Sequence, residues 1–344
     1  MIQRGHTMDI FTTGVLTRVV QALPLPSLFI LNNFFAEEQT ETSEEIHFDV
    51  DKNRPRLAPF VLPTMPGKVM SSNGYKTSTF KPAYVKDKRI FNPNRALKRA
   101  LGEAVGGSLS PEQRMQLLLK KDLMDQLDML GRRQEVMAIE ALVTGRVTVK
   151  GEGYPETIVD FERHGDLTVD LTSGDRWGEA GVEPLDDVES WALDVAKHSG
   201  AAPNTLVMDL KSWKLFSASE RVQKLLDRFR GSDTLASTVG GEGAKFMGNI
   251  GDYDIWVYSG FYEDPETGVL TPYLADHTVI LTSKQVEGVR AYGAIQDEKA
   301  GLQAMPYFAK SWVEEDPGLR QLLMQSAPLT VPYRVNASLA ATVR

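Results

Sequence analysis

Ser78-Thr79-Phe80-Lys81 has the S-x-x-K spacing in which a lysine can activate a serine nucleophile. Its companion motifs are missing, and the stretch reads as a β-hairpin arm where the enzyme motif needs the start of a helix. No G-x-S-x-G elbow occurs. Gly240-Gly241-Glu242-Gly243 has the composition of a phosphate cradle, but no lysine–serine pair follows it and no strand feeds it, so a mobile loop is the better reading. The five histidines, His6, His47, His164, His198 and His277, are scattered, and none has a second ligand at metal spacing along the chain. Adjacent carboxylates at Asp186 and Asp187 have a sufficient role in capping a helix. Trp191, Trp213 and Trp256 fall at apolar positions of predicted elements and belong to the core. The sequence therefore assigns no catalytic residue, no cofactor and no metal, and the expectation is a protein that is not an enzyme.

Composition narrows the class further. The 344 residues suffice for two compact domains or one with large extensions. There is no cysteine, which excludes disulfides and thiolate metal sites and suits a reducing cytosol. No apolar run reaches the roughly 20 residues of a membrane helix, since Leu23–Phe35 is interrupted by Pro24, Pro26, Asn32 and Asn33. Arg18 and several threonines also spoil a secretory signal. Met8 is as good a start as Met1.

Charge is unevenly placed. Residues 51–99 carry twelve Lys and Arg against Asp51 and Asp87, a balance of +10, so the net −8 leaves −18 on the rest. Just upstream, Glu37, Glu38, Glu41, Glu44, Glu45 and Asp49 form an acidic run with no Lys or Arg. Asymmetry over some fifty residues points to an interaction surface, either for nucleic acid or for the acidic part of an identical neighbour. The second is favoured.

The elements that must carry these charges follow from the pattern. Residues 8–22 suit a short amphipathic helix, and 23–50 an arm with scattered apolar anchors. Residues 51–99 hold six prolines and the turn signal Ser72-Asn73-Gly74, flanked by Val69-Met70 and Tyr75–Phe80 as two arms of a hairpin. Such a basic hairpin has no core of its own and must lie on another surface. Ser110-Pro111-Glu112-Gln113 supplies an N-cap, a first-turn proline and a capping-box glutamine, and the helix it opens runs to Thr144 before Gly145. Leu119, Leu123, Leu127, Leu130, Met137, Ala141 and Leu142 give it an apolar stripe without clean heptads, so it should lie across a sheet. Strands are expected at 147–149, 157–161, 205–208, 253–258 and 278–282. A helix capped by Asp186 should end at Gly200, another should run from Leu210 to Phe229, and Asp264–Gly268 should turn.

Several ordered segments then resemble the lambda-type phage major capsid proteins, the capsid protein E family. They are Thr79–Lys86, Val257–Gly260, Thr278–Leu281, Arg290–Asp297, Lys310-Ser311-Trp312 through Asp316-Pro317, and Met324–Leu329. No one segment is specific. Their order and spacing together are, over residues 8–330, with a departure at Pro332–Arg344. The resemblance implies an α+β chain with the Hong Kong 97 phage capsid fold, divided into an N-terminal arm (1–50), an extended basic β-hairpin loop (51–95), a peripheral domain (96–185) with a spine helix (110–144), an axial domain (186–300) and a C-terminal return to the peripheral domain (301–344). It implies a major head protein of a tailed phage that forms pentamers and hexamers of an icosahedral shell, assembled in the host cytoplasm. The implied partners are a separate scaffolding protein, a portal, a decoration protein at three-fold sites and packaged double-stranded DNA in non-specific contact, with no membrane. Candidate subunit contacts in the loop are Lys68, Asn73, Gly74, Lys76, Lys81, Lys86, Lys88 and Arg89. The rival readings are a nucleic-acid-binding protein using 51–99 and a ring-forming portal or tail-tube subunit.

Overall fold

The computed structural model describes residues 11–23, 28–43, 45–51, 75–91, 97–98, 109–151, 153–227, 243–315 and 318–344. In chain order the helices are α1 (Thr13–Gln21), α2 (Phe29–Phe34), α3 (Pro111–Thr144), α4 (Pro184–Ser199), α5 (Leu210–Phe216) and α6 (Glu220–Leu225). The strands before α4 are β1 (Glu37–Thr40), β2 (Ile46–Asp51), β3 (Tyr75–Phe80), β4 (Val85–Phe91), β5 (Arg146–Gly151), β6 (Tyr154–Asp160) and β7 (Thr168–Asp170). Those after it are β8 (Thr205–Met208), β9 (Ala244–Ile250), β10 (Tyr253–Tyr258), β11 (Phe261–Glu263), β12 (Leu270–Pro272), β13 (Thr278–Thr282), β14 (Gly288–Tyr292), β15 (Phe308–Val313), β16 (Arg320–Ser326), β17 (Pro328–Pro332) and β18 (Leu339–Thr342). Helices and sheets are segregated in an α+β arrangement. Among the described residues no helix is long and apolar enough to cross a membrane.

Helix α3 is the longest element, about 50 Å at 1.5 Å per residue. Ser110 Oγ accepts the Gln113 N–H at 3.2 Å while Gln113 Oε1 accepts the Ser110 N–H at 2.9 Å, which completes the expected capping box. At the far end Gly145 takes φ 70°, a left-handed cap that costs a glycine little. The Arg163 guanidinium donates to the Leu142 and Val143 carbonyl oxygens left over by that cap. Burial lowers its pKa to about 10. The predicted stripe, Leu119 through Leu142, is buried, and the helix lies against β17, β5 and β18 as a helix across sheets does, with no coiled-coil partner needed.

The main core sits under a six-stranded mixed sheet of order β7-β18-β13-β8-β10-β9. Strand β13 is buried throughout, and so are Leu206, Val207 and Met208 of β8. A short continuous apolar run is what a fully covered central strand requires. Helix α4 covers it with Val188, Trp191 and Val195, the three inward residues expected. Two three-stranded sheets, β1-β14-β17 and β15-β16-β4, extend the structure along α3. A second cluster joins Phe11, Leu16, Val20 and Leu23 around α1 to Leu119, Leu123 and Leu127 of α3 and to Leu322 and Met324 of β16.

Two expectations need correction. Helix α4 is not capped by Asp186: it starts at Pro184 with Glu183 as N-cap, because proline at the first helical position sets the entry. The Asp186 carboxylate instead pairs with Arg221, and Asp187 Oδ2 accepts the Trp177 indole N–H at 2.8 Å. The helix expected over Leu210–Phe229 is two helices. Ser219 Oγ accepts the Val222 N–H and donates to Glu183 Oε1 at 2.6 Å, so its side chain starts a new helix and breaks the old one. Strand β3 finds its partner in β2, antiparallel, with Ile46 opposite Phe80 and Asp51 opposite Tyr75. The other proposed hairpin arm, Val69-Met70, its turn Ser72-Asn73-Gly74 and the glycines at 240–241 lie outside the described residues.

The arm is less peripheral than its composition implies. Leu28, Phe29, Ile30, Leu31, Phe34 and Phe35 are all in the main core. Phe29 packs its ring 4.9 Å from Trp256 and 5.8 Å from Tyr258. The approach is close enough that a Cβ on Gly288, at the start of β14, would overlap the Phe34 carbonyl oxygen and the Phe35 ring.

Candidate subunit-contact surface

Strand β4 is the part of the basic segment whose side chains are best defined. Its residues alternate, as a strand with one covered face must. Asp87 and Arg89 turn towards α3, whereas Lys86, Lys88 and Ile90 are exposed. Arg89 is held within the chain: it lies 3.0 Å from Asp87 Oδ2, 2.8 Å from Asp125 Oδ2 and 3.9 Å from Asp122 Oδ1. Burial works against its charge, but the bonds to Asp125 and Asp87 outweigh burial and raise its pKa. The Asp87 carbonyl accepts Gln126 Nε2 at 3.1 Å, a second tie from β4 to the helix.

The outward lysines differ. Lys86 Nζ lies 5.1 Å from the Tyr84 ring and Lys88 Nζ 5.5 Å from the Trp312 ring, so aromatic faces orient both ammonium groups while leaving them at the surface. Lys81 is exposed, and its backbone carbonyl accepts the Tyr154 hydroxyl at 2.9 Å. Tyr84 anchors the same stretch, donating to the Ala294 carbonyl at 2.6 Å and accepting the Gln296 N–H at 3.0 Å. Lys76 stands on β3 opposite Val50. Lys68, Asn73 and Gly74 lie outside the described residues. The structure thus brings Lys81, Lys86 and Lys88 onto one anchored ribbon and turns the half-buried Arg89 towards the spine helix.

Beside that ribbon runs a groove of about 800 Å³, lined by Lys86, Asp87, Met129 and Arg133 on one side and by Phe261 and Leu270 on the other. Phe261, Val269 and Leu270 are 59, 59 and 69% exposed, an apolar rim on the β11–β12 hairpin. Phe261 and Leu270 also line the groove, so the exposed apolar residues of this hairpin sit together beside it. Part of the acidic run is already engaged. Glu38 pairs with Arg290 at 3.3 Å, and β1 and β2 are bound to β14 and β3.

Behind the surface, the fully buried Glu135 of α3 accepts the Ile30 and Leu31 N–H groups at 2.9 and 2.8 Å and the Tyr258 hydroxyl at 2.8 Å. Burial raises its pKa against the opposing pull of those bonds. One carboxylate therefore fastens arm, spine helix and central sheet together. Sequence reasoning placed no polar residue there, since a single Glu in a helix normally faces water. A second missed group is His164, Asp166 and His198, distant in sequence and adjacent in space.

The family model for phage major capsid protein E matches residues 12–343. The chain belongs to that family. The matched span ends at residue 343, within Pro332–Arg344, and β18 forms from these residues. The major capsid protein of Escherichia phage lambda is 32% identical over 333 residues, covering 94% of this chain and 96% of that one. That of Escherichia phage N15 is 31% identical, with the same coverage. Among solved structures, the capsid protein of an Escherichia coli CFT073 prophage aligns with a TM-score of 0.78 at 23% identity, over 97% of this chain and 99% of its own. The capsid of Ralstonia phage GP4 aligns with a TM-score of 0.52 at 10% identity, over 93 and 92%. The fold is the Hong Kong 97 capsid fold, and the chain is a self-assembling shell subunit of a tailed-phage virion. Its family role is structural.

Proposed function

We propose that copies of this chain close into pentamers and hexamers of an icosahedral head around double-stranded DNA, with the β2–β3 ribbon and β4 as the element that reaches a neighbour. The observation that supports this most is the family match over residues 12–343. Residues 1–50 act as the arm, 51–95 as the extended loop, 96–185 with the spine helix as the peripheral domain, and 186–300 as the axial domain. Of the returning residues 301–344, β16 pairs with β4 of the loop and packs Leu322 and Met324 on Leu119, Leu123 and Leu127 of the spine helix, which returns β15 and β16 to the peripheral domain. Strand β18 enters the six-stranded sheet, so the last residues work with the axial domain.

The exposed ammonium groups of Lys81, Lys86 and Lys88 meet the acidic face of the next copy, and the apolar rim at Phe261 and Leu270 adds directionless attraction. Each exposed ion pair contributes only about 0–1 kcal/mol. Shell stability then comes from summing several interfaces per subunit, and misplaced copies can dissociate and try again. A separate scaffolding protein sets curvature, a portal occupies one vertex, and a decoration protein caps three-fold sites. Packaged DNA meets the inner face only through non-specific contact. Negative-stain microscopy tests the reading. Uniform shells on co-expression with the scaffold are expected, with monomers, small oligomers or irregular shells when the chain is alone. Closed rings under both conditions would refute it.

A further inference from the structure

His164 ends the connection after β6, and His198 lies in the last turn of α4. Their imidazole rings stack with centroids 3.8 Å apart and planes 24° from parallel. Asp166 joins them: its Oδ2 is 3.2 Å from His198 Nε2 and 3.5 Å from His164 Nδ1. The His198 side chain is only 11% exposed, whereas those of His164 and Asp166 are 40 and 57% exposed, so the cluster has an enclosed floor and an open mouth. The backbone holds it in place. The His164 N–H donates to Asn336 Oδ1 at 2.9 Å, and a single 3-10 turn at Gly165–Leu167 brings the Asp166 N–H to His164 Nδ1 at 3.3 Å.

That last contact orients the chemistry. A ring nitrogen that accepts an N–H presents its lone pair on that side, and here the same nitrogen also faces a carboxylate oxygen. Two acceptors are left looking at each other, and a second ring nitrogen, His198 Nε2, converges on the same oxygen at 3.2 Å. A single divalent ion satisfies all three donors at once.

We propose that His164, Asp166 and His198 form a binding site for a borderline divalent transition-metal ion of the zinc class. Two imidazole nitrogens and one carboxylate oxygen suit zinc, cobalt(II) or nickel(II), whereas magnesium and calcium prefer an all-oxygen shell. Bonds of about 2.0–2.2 Å give tetrahedral ligand–ligand edges of roughly 3.3–3.5 Å. The two edges at Asp166 are already of that length, and all three ligand atoms lie within 4.8 Å of one another, so rotation of the exposed His164 ring closes the third. On metal binding His164 Nδ1 exchanges its long contact with the Asp166 N–H for the ion. The open mouth leaves the fourth position to water or to a group from a neighbouring copy. Bound there, the ion ties the end of α4 to the β6–β7 connection and, because β7 pairs with β18, to the edge of the six-stranded sheet.

The test is titration of the purified full-length chain with zinc near neutral pH, followed by calorimetry, together with the visible spectrum of cobalt(II). Saturable uptake of a single ion is expected, with the absorption bands of a tetrahedral cobalt site. At zinc about 100 times Kd the melting temperature should rise by roughly 5 °C and fall back with a chelator. Asp166→Asn and His198→Asn should each weaken binding at least roughly a hundredfold, the upper end of what loss of a supporting contact alone causes, while His47→Asn changes nothing. Asp166 is exposed, so its variant keeps the test open if His198→Asn fails to fold. No saturable uptake of zinc or cobalt would overturn the proposal, and so would uptake that both variants leave unchanged.

Discussion

Residues 28–35 and 75–91 both precede the spine helix and both read as extensions, the first with scattered apolar anchors and the second without a core of its own, and the molecule uses them oppositely. The first segment is enclosed, with Phe29, Ile30 and Phe35 at 1, 0 and 0% exposure. The second shows Lys81, Lys86, Lys88 and Ile90 to solvent, and within β4 exposure alternates from Lys86 to Ile90. The difference is one of apolar density. Six large apolar side chains within eight residues can repay the entropy of ordering that short segment. A strand alternating lysine with Asp or Arg can cover only one face. In this chain the arm is part of the subunit's core, whereas β4 leaves one face uncovered within the subunit.

The sharpest way to break that distinction is at Phe29. Phe29→Ala removes a ring packed on Phe34, Trp256 and Tyr258, and should cost about 3–5 kcal/mol of subunit stability in urea denaturation. A loss below about 1 kcal/mol, the scale of an ordinary surface change, would mean the arm is not part of the core.

Glu135 should come next. Glu135→Ala leaves the Ile30 and Leu31 N–H groups and the Tyr258 hydroxyl without their acceptor, at a cost of about 1–3 kcal/mol for a buried unsatisfied group. Its pH signature has a definite sign. Burial raises the folded pKa above the unfolded one, so the contribution to stability is full below the unfolded carboxylate value and is lost as pH rises through the folded value. The stability of the wild type minus that of Glu135→Gln should therefore decline as pH climbs out of the ordinary carboxylate range. A flat difference would remove Glu135 as the titrating group.

Much of this was legible beforehand, and the gaps have physical causes. The spine helix could be placed to the residue because Ser110, Pro111, Gln113 and Gly145 are local signals read by the backbone within one turn. The core strands β8, β10 and β13 announced themselves as short apolar runs. What stayed hidden depends on partners distant in sequence. Glu135 looks like any helical glutamate until α2 supplies two N–H donors, and Arg89 looks like another loop cation until Asp122 and Asp125 come within reach. Asp187 had a plausible cap role until Trp177 claimed it. The histidine pair was invisible for the same reason: metal spacing was sought along the chain, and the ligands come from two elements.

Removing residues 52–74 sharpens the comparison from the other side. Asp51 and Tyr75 are paired in register at the end of the β2–β3 ribbon, so a two-residue Asn-Gly turn can close the strands there. Subunit stability should change by less than about 1 kcal/mol, and shells should fail to form with the scaffold present. A cooperative melt checks the first outcome and microscopy the second. Loss of the melt would place those residues with the arm, inside the subunit's core.

The smallest expected effect on stability, and the most discriminating, lies within β4 itself. Lys86 and Lys88 share one face and Arg89 the other, one residue away. Arg89→Gln breaks the contacts to Asp87 and Asp125 and should destabilise the subunit by about 1–2 kcal/mol, since these are charge-assisted bonds partly shielded from solvent. Lys86→Glu with Lys88→Glu should move stability by no more than about 0.5 kcal/mol, because both ammonium groups reach only ring faces at the surface. The double variant should nevertheless raise the protein concentration needed for assembly, and that deficit should shrink as salt screens the reversed charges over a Debye length of about 8–10 Å. Light scattering across a salt series separates the two faces. If the lysine variant assembles normally at low salt while Arg89→Gln does not, the surface that meets the neighbour is the one turned towards the spine helix, and the outward lysines serve only solubility.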